Sequence, residues 1–288
     1  CFHRWPACWI ETGAAVPRSG RAVHVLAARA LHPISPFMRF LLRRKPPQPQ
    51  FDAPLRPDEA FFAVGDIHGC DVLLDKLMAK LEATERASAK LVFLGDYVDR
   101  GDHSADVLRR LHRMQSTIGA DHMICLRGNH DQMLIDFLDR PKSSGARWFR
   151  HGGLQTLGSY GIPGVGLTAS DDDWNACRDK LRAAMGEELE SWLRALPLSW
   201  KSGNVFVCHA GADPALPIEM QNGQTLIWGH DDFEKVPRAD GLWVVHGHTI
   251  TEQAKPIHGR IPVDTGAYAT GRLTAALLET GKVQFFST

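Results

Sequence analysis

Hydrophobic residues in this chain come in short runs, each ending on a polar, glycine-bearing loop. Five such runs stand at Ala60–Val64, Lys90–Leu94, His122–Leu126, Asn204–Cys208 and Gly241–Val245. Short and rich in Val, Phe, Leu and Ile, they read as buried strands. After the first three runs the period changes. Val72, Leu73, Leu77, Met78 and Leu81 share one helical face, and Val107, Leu108, Leu111 and Met114 share another. Strand, loop and helix in repetition predict an α/β sheet with helices on its faces. Ligands of such sheets bind beyond the carboxyl ends of the strands, so the five polar loops are expected to converge on one rim.

The regularity breaks over 141–200. Gly145–Gly161 reads GARWFRHGGLQTLGSYG, turn-rich with scattered apolar anchors. Asp171–Ala195 carries helical spacing through Trp174, Cys177, Leu181, Met185, Leu189, Trp192 and Leu193. A helical insertion over about 141–197, covering one side of the rim, is expected. Ordinary packing helices would explain most of these residues equally well. Beyond it, Arg260–Val263, Leu273–Glu279 and Val283–Phe286 are expected to form antiparallel strands joined by short turns.

The loops carry the chemistry. Gly65–Gly69 reads GDIHG, Gly95–Gly101 GDYVDRG, Arg127–Asp131 RGNHD, His209–Gly211 HAG and His246–Thr249 HGHT. Together they offer Asp66, His68, Asp96, Asn129, His209 and His248, with His246 ambiguous beside His248. Asp and Asn oxygens mixed with imidazoles, without thiolate, suit Mn first, with Fe or Zn the other candidates, better than Ca or a structural zinc. Six ligands exceed one tetrahedral site and suit two divalent ions about 3.5–4 Å apart sharing one carboxylate. Such a pair lowers the pKa of a bridging water and clamps both oxygens of an in-line displacement, so no Ser or Cys nucleophile is required. The chain has no G-x-S-x-G or P-loop segment.

Composition narrows the partners. The chain has 288 residues, 44% of them hydrophobic, and a formal net charge of zero. Bulk charge therefore points to neither nucleic acid nor membrane, and no run approaches the roughly 20 apolar residues of a membrane helix. Its six cysteines form no C-x-x-C pair, and Cys125 and Cys208 fall inside predicted strands. That usage suits a reducing compartment, and a cytoplasmic location is expected. Residues 1–50 carry eight Lys or Arg against the single acid Glu11, and prolines crowd Pro46–Pro57. A disordered basic and Pro-rich leader and linker is expected over 1–57, with Met38 a plausible native start, and a catalytic domain over 58–288.

GDIHG, GDYVDRG, RGNHD, HAG and GHT, in this order and spacing, resemble the bacterial phosphoprotein phosphatase branch of the calcineurin-like metallophosphoesterases. The likeness runs from about Phe61 to about Leu278 and includes DTGAYATG at Asp264–Gly271. It implies a β-sandwich of two mixed sheets flanked by helices. It implies that Asp66 and His68 hold one metal, that Asp96 bridges, and that Asn129, His209 and His248 complete the second. It also implies that His130, paired with Asp99, is the general acid and that Arg100 holds phosphate oxygens, with Asn129 beside it. Arg127 either touches phosphate or orients its loop through a salt bridge.

Two departures from the family pattern matter. Superfamily nucleases commonly end in G-H-x-H, but Ile250 stands at the second His position. Bacterial phosphatases commonly carry a Trp followed two positions later by a phosphate-binding Arg, but Ile227–Asp231 reads IWGHD and offers His230. Either His230 takes that arginine's place, or the loop is shifted and Lys235 or Arg238 supplies the grip. Three function classes follow. The first is a metal-dependent phosphatase of phosphoserine and phosphothreonine proteins, with phosphotyrosine a further option. The others are a dinucleoside tetraphosphate hydrolase and a non-catalytic binding module.

Overall fold

The computed structural model describes residues 51–288. Each predicted apolar run becomes a strand with ends shifted by a residue or two. Phe61–Val64 (β1), Lys90–Phe93 (β2) and Met123–Cys125 (β3) are parallel, and Thr274–Glu279 (β8) and Lys282–Ser287 (β9) add an antiparallel hairpin beside β1. The first sheet therefore runs β3-β2-β1-β8-β9. The second sheet holds Ser199–Ser202 (β4), Val205–Cys208 (β5), Trp243–His246 (β6) and Arg260–Pro262 (β7) in sequence order.

Side-chain alternation builds the layers. Phe61 and Ala63 of β1 pack with Val92, Ile124, Val205, Val207, Val245 and Ile261 in a core between the two sheets. Phe62 and Val64 point the other way, into a second core shared with the helices Asp71–Glu82 (α1), Ser104–Ile118 (α2) and Asn129–Asp139 (α3). Phe206, Cys208 and Val244 face outward from the second sheet and are covered by Leu226 and Phe233. The result is helices, sheet, sheet and a thin outer cover, the expected two-sheet α/β architecture.

Several expectations are corrected. Val72 is 59% exposed, so the buried face of α1 is Leu74, Leu77, Met78 and Leu81. Arg260–Pro262 does not join an antiparallel run. It pairs parallel to β6 in the second sheet, and a longer connection containing the short helix Ala267–Thr270 leads from it to β8. Gly145–Gly161 is mostly helical: Pro141–Trp148 (α4), a π-helical turn Phe149–Gly153, and Leu154–Ser159 (α5). Two of its glycines serve close packing. A Cβ on Gly145 would lie 2.3 Å from the Trp174 ring, and one on Gly153 would lie 2.4 Å from the Trp148 ring. Asp171–Met185 (α6) and Glu187–Ala195 (α7) follow, with Trp174, Cys177, Leu181, Met185, Leu189 and Leu193 buried.

The linker expected to reach residue 57 ends earlier, because 51–57 pack against the second sheet. Phe51 sits edge-on to Trp243 with ring centroids 5.0 Å apart, Leu55 joins the inter-sheet core, and Asn204 donates to the Pro54 carbonyl and accepts from the Arg56 N–H. The rest of the expected leader, with Met38, lies outside the described residues. Among the described residues no helix is long and apolar enough to cross a membrane.

Candidate metal centre

The loops after β1, β2, β3, β5 and β6 meet at one place. Their backbones are forced there. Six non-glycine residues among those described adopt positive φ, and five of them are His68, Asp96, Asp99, Arg100 and His248. Left-handed backbone costs a non-glycine residue of order 1 kcal/mol or more and persists only where the surroundings dictate it.

One carboxylate holds two of the loops together. Asp131 is fully buried, and its oxygens accept from the backbone N–H groups of Asp96 (2.8 Å), Tyr97 (3.0 Å) and Gly128 (2.9 Å). Burial pushes its pKa up to about 7. The sequence reading passed over this residue, although its place at the third position of α3 was a signal for an N-terminal acceptor.

Asp96 stands at the centre. Its Oδ1 accepts from the backbone N–H of His130 at 2.9 Å, and its Oδ2 faces His68 Nε2 at 3.5 Å and His209 Nε2 at 3.4 Å. The other ring nitrogens identify the tautomers. His68 Nδ1 lies 2.8 Å from the Val98 carbonyl and His209 Nδ1 lies 3.0 Å from that of Leu94. A carbonyl only accepts, so each Nδ1 carries a proton, and the neutral His68 points the lone pair of its Nε2 at Asp96. Asn129 Oδ1 also meets two imidazole nitrogens, His209 Nε2 at 2.8 Å and His248 Nδ1 at 2.9 Å. Asp66 accepts from the His248 N–H at 3.0 Å through Oδ2, while its buried Oδ1 has no partner. The backbone of Gly247 closes on that oxygen, since a Cβ there would lie 2.0 Å away.

Acceptors facing acceptors call for cations. Burial holds His68 down at about 3 and His248 at about 4, so neither neutralises the carboxylates. Burial also opposes charge on His209, but Asp96 and Asp66 outweigh it and raise that imidazole to about 10. In the protein alone, a proton on His209 meets part of the demand. Two groups of donor atoms lie close enough for metal binding: His68, Asp96 and His130, and Asp96, His209 and His248. Asp96 belongs to both. The unpartnered Asp66 oxygen and the facing lone pairs fit a pair of divalent ions bound by hard oxygens and imidazoles.

Beside this cluster His130 Nδ1 lies 2.7 Å from Asp99 Oδ2. Asp99 is itself gripped by the Trp148 Nε1–H (2.9 and 3.1 Å) and the Thr156 hydroxyl (2.7 Å), both from the helical region after α3. Burial raises Asp99 well above the usual carboxylate range and lowers His130 to about 4. Arg100 reaches His130 Nε2 at 3.2 Å and lies over the Tyr268 ring, 4.6 Å from its centroid. Sequence reasoning missed Trp148, Thr156 and Tyr268. No periodicity marks them as site residues, although Tyr268 lies within DTGAYATG; they reach the site from distant elements.

The remaining candidates divide. Arg127 does not face the centre. Its guanidinium binds the Arg194 and Leu196 carbonyls and Gln132, so it anchors the loop to the end of α7, without the expected salt bridge. Arg238 is buried on Asp240 and the carbonyls of Asp213 and Leu216, which removes it as a phosphate grip. His246 stays in the core, hydrogen-bonded to the Gly247 carbonyl and edge-on to Phe233. His230 lines a cleft of about 590 Å³ with Trp228, Lys235, His248 and Thr249, and its Nε2 lies 3.6 Å from Asp213. His151 is exposed, yet its ring centroid lies 6.3 Å from that of His130.

Residues 60–260 match the family described as calcineurin-like phosphoesterase. A serine/threonine-protein phosphatase 1 of Salmonella typhimurium is 26% identical over 78% of this chain and 100% of its own length. A symmetrical bis(5'-nucleosyl)-tetraphosphatase of Methylococcus capsulatus is 30% identical over 56% of this chain. The chain spans about half the length of the symmetrical tetraphosphatases it matches, 46% in that case. Among solved structures, a candidate diadenosine tetraphosphatase superposes with a TM-score of 0.55 at 21% identity, covering 82% of this chain and 98% of that one. A cold-active protein-tyrosine phosphatase of Shewanella gives 0.53 at 17%, covering 81% and 83%. These structural likenesses concern the fold. With the family match spanning most of the described chain and the donor cluster at its centre, the chain belongs to the calcineurin-like phosphoesterases.

Proposed function

We propose that this protein is a metal-dependent phosphomonoesterase acting on phosphoserine and phosphothreonine in proteins, with phosphotyrosine a further substrate. Asp66, His68, Asp96, Asn129, His209 and His248 would hold two divalent ions, Mn²⁺ the first candidate. When bound, those ions would supply a nucleophile at neutral pH and neutralise charge on the transferring phosphoryl group. Arg100 is placed to bind phosphate oxygens through its fork, and the Tyr268 ring beneath it keeps the fork from swinging away.

The observation that carries the reading is the His130–Asp99 pair. An alkoxide leaving from phosphoserine needs a proton, whereas a nucleotide leaving from a polyphosphate departs as a stable anion. Asp99 holds the Nδ1–H of His130, which leaves Nε2 to face the leaving oxygen. Bound phosphate adds negative charge beside the ring and draws Arg100 to itself. Both changes favour the imidazolium that donates the proton.

The names of several relatives favour a second reading, hydrolysis of dinucleoside tetraphosphates. Phosphate release from a phosphoserine peptide, run beside chromatography of diadenosine tetraphosphate, separates the two. Peptide turnover exceeding nucleotide turnover in kcat/KM is expected, and the reverse order would replace the first reading with the second.

A further inference from the structure

Several arginines of the helical layer are paired with carboxylates: Arg110 with Asp71 and Asp75, Arg182 with Glu190, and Arg194 with Asp139 and Glu190. Arg147 is not. It is an exposed residue of α4, and no ion pair joins it to a carboxylate among the described residues. Its guanidinium instead lies over the Trp228 ring, 4.5 Å from the centroid. Trp228 stands edge-on to His248 with centroids 6.4 Å apart and lines the cleft beside the metal centre. The next residue, Trp148, holds Asp99, so α4 is anchored to the catalytic pair. Arg100 on Tyr268 sits beside His68 and His130, and Arg147 on Trp228 sits on the His248 side.

We propose that Arg147 is a specificity residue that binds a second anionic group of the substrate, adjacent to the phosphate undergoing hydrolysis. The inference rests on the phosphoesterase reading above and deepens it. The Trp228 ring stands between Arg147 and His248, which places Arg147 for a neighbouring anion and not for the reacting phosphate. In a phosphoprotein that anion is an acidic side chain flanking the phosphoserine. In a nucleotide it is the next phosphoryl group. A guanidinium stacked on indole loses little freedom on binding and keeps its edge donors free for a carboxylate or phosphate. Asp231 and Glu234 line the cleft together with His230 and Lys235, so the cleft itself carries both signs of charge, and Arg147 adds a cation over the Trp228 side of it.

Calorimetric titration of the Mn²⁺-loaded full chain tests this with three non-hydrolysable probes. Two are phosphonate analogues of a phosphoserine peptide, flanked by Asp or by Ala. The third is a methylene-bridged diadenosine tetraphosphate. The Asp peptide is expected to bind roughly fivefold tighter than the Ala peptide, the scale of one exposed but well-oriented guanidinium pair. In Arg147→Gln that advantage should fall below about twofold, Arg147→Lys should lie between, and salt should shrink the difference. No advantage in the parent protein, or an advantage untouched in Arg147→Gln, together with unchanged nucleotide affinity, overturns the assignment whatever the turnover assays show. Peptides failing to bind, while the nucleotide probe loses affinity in Arg147→Gln, would leave Arg147 in its role and remove the phosphoprotein reading.

Discussion

Replacing His130 by Asn isolates the proton donor from the rest of the centre. The backbone N–H of residue 130 still reaches Asp96 Oδ1, a 2.9 Å contact of the main chain alone. The central carboxylate should therefore keep its place, and metal binding should persist. The loss falls on Asp99, whose 2.7 Å contact to the imidazole disappears while the Trp148 and Thr156 donors remain. Removing one hydrogen bond from a buried carboxylate costs roughly 1–3 kcal/mol of stability. That amounts to a Tm lower by several degrees for a chain of this size, so the variant remains folded at 25 °C. The rate effect should be larger: a positioned acid is worth about 10²–10⁴-fold, or roughly 3–5 kcal/mol of barrier. The diagnostic is the leaving group. On a phosphoserine peptide kcat should fall by the full factor; on p-nitrophenyl phosphate, whose leaving group needs little protonation, it should fall much less. Steady-state kinetics of both substrates at saturating Mn²⁺ measures the difference. Equal losses on both would remove His130 from proton transfer and leave it a structural neighbour of Arg100.

Gly247→Ala would set a methyl 2.0 Å from Asp66 Oδ1; Mn²⁺ affinity by calorimetry should fall at least tenfold, as expected when a shell supporting metal ligands is disturbed. Asp131→Asn turns an amide N–H₂ toward one of three backbone donors, so thermal denaturation should show a loss of roughly 2–4 kcal/mol, and an unchanged Tm would mean that the loops do not depend on it. Arg194 hydrogen bonds hold Asp139 below the usual carboxylate range; burial opposes the same shift in Glu190, but Arg182 and Arg194 outweigh it. A carboxylate depressed in the fold adds stability above its unfolded pKa, about 4, and loses it as pH falls through the folded value. Arg194→Gln should therefore cost under about 1 kcal/mol at pH 7, since the pairs are partly open to solvent, and the gap in urea midpoint should close as pH falls below the ordinary carboxylate range.

Much of this was legible in the sequence. Buried strands of a two-sheet core must be short and apolar, and a loop beyond a parallel strand must collect its ligands at one rim. That Asp66, His68, Asp96, Asn129, His209 and His248 meet at one place could thus be expected before any coordinates. What escaped has physical reasons. Gly145 and Gly153 look like turn residues, but their missing side chains make room for Trp174 and Trp148. Val72 carries the right residue type on the wrong side of α1, because only four positions of that helix are needed to cover the sheet. Arg260–Pro262 pairs with a strand some fifteen residues earlier in sequence, and register of that kind is not written in local pattern. Trp148, Thr156, Tyr268 and Arg147 act at the site through tertiary contact alone. Arg127 had the composition of a phosphate binder, and only the α7 carbonyls beside it show where its donors go.

The account turns on Asp96 serving two cations at once. Anomalous diffraction from crystals grown with Mn²⁺, recorded above and below the manganese edge, tests that directly. Two peaks about 3.5–4 Å apart are predicted, with the Asp96 carboxylate between them, His68 and Asp66 on one side, and Asn129, His209 and His248 on the other. A single peak, or two peaks of which only one contacts Asp96, would contradict it.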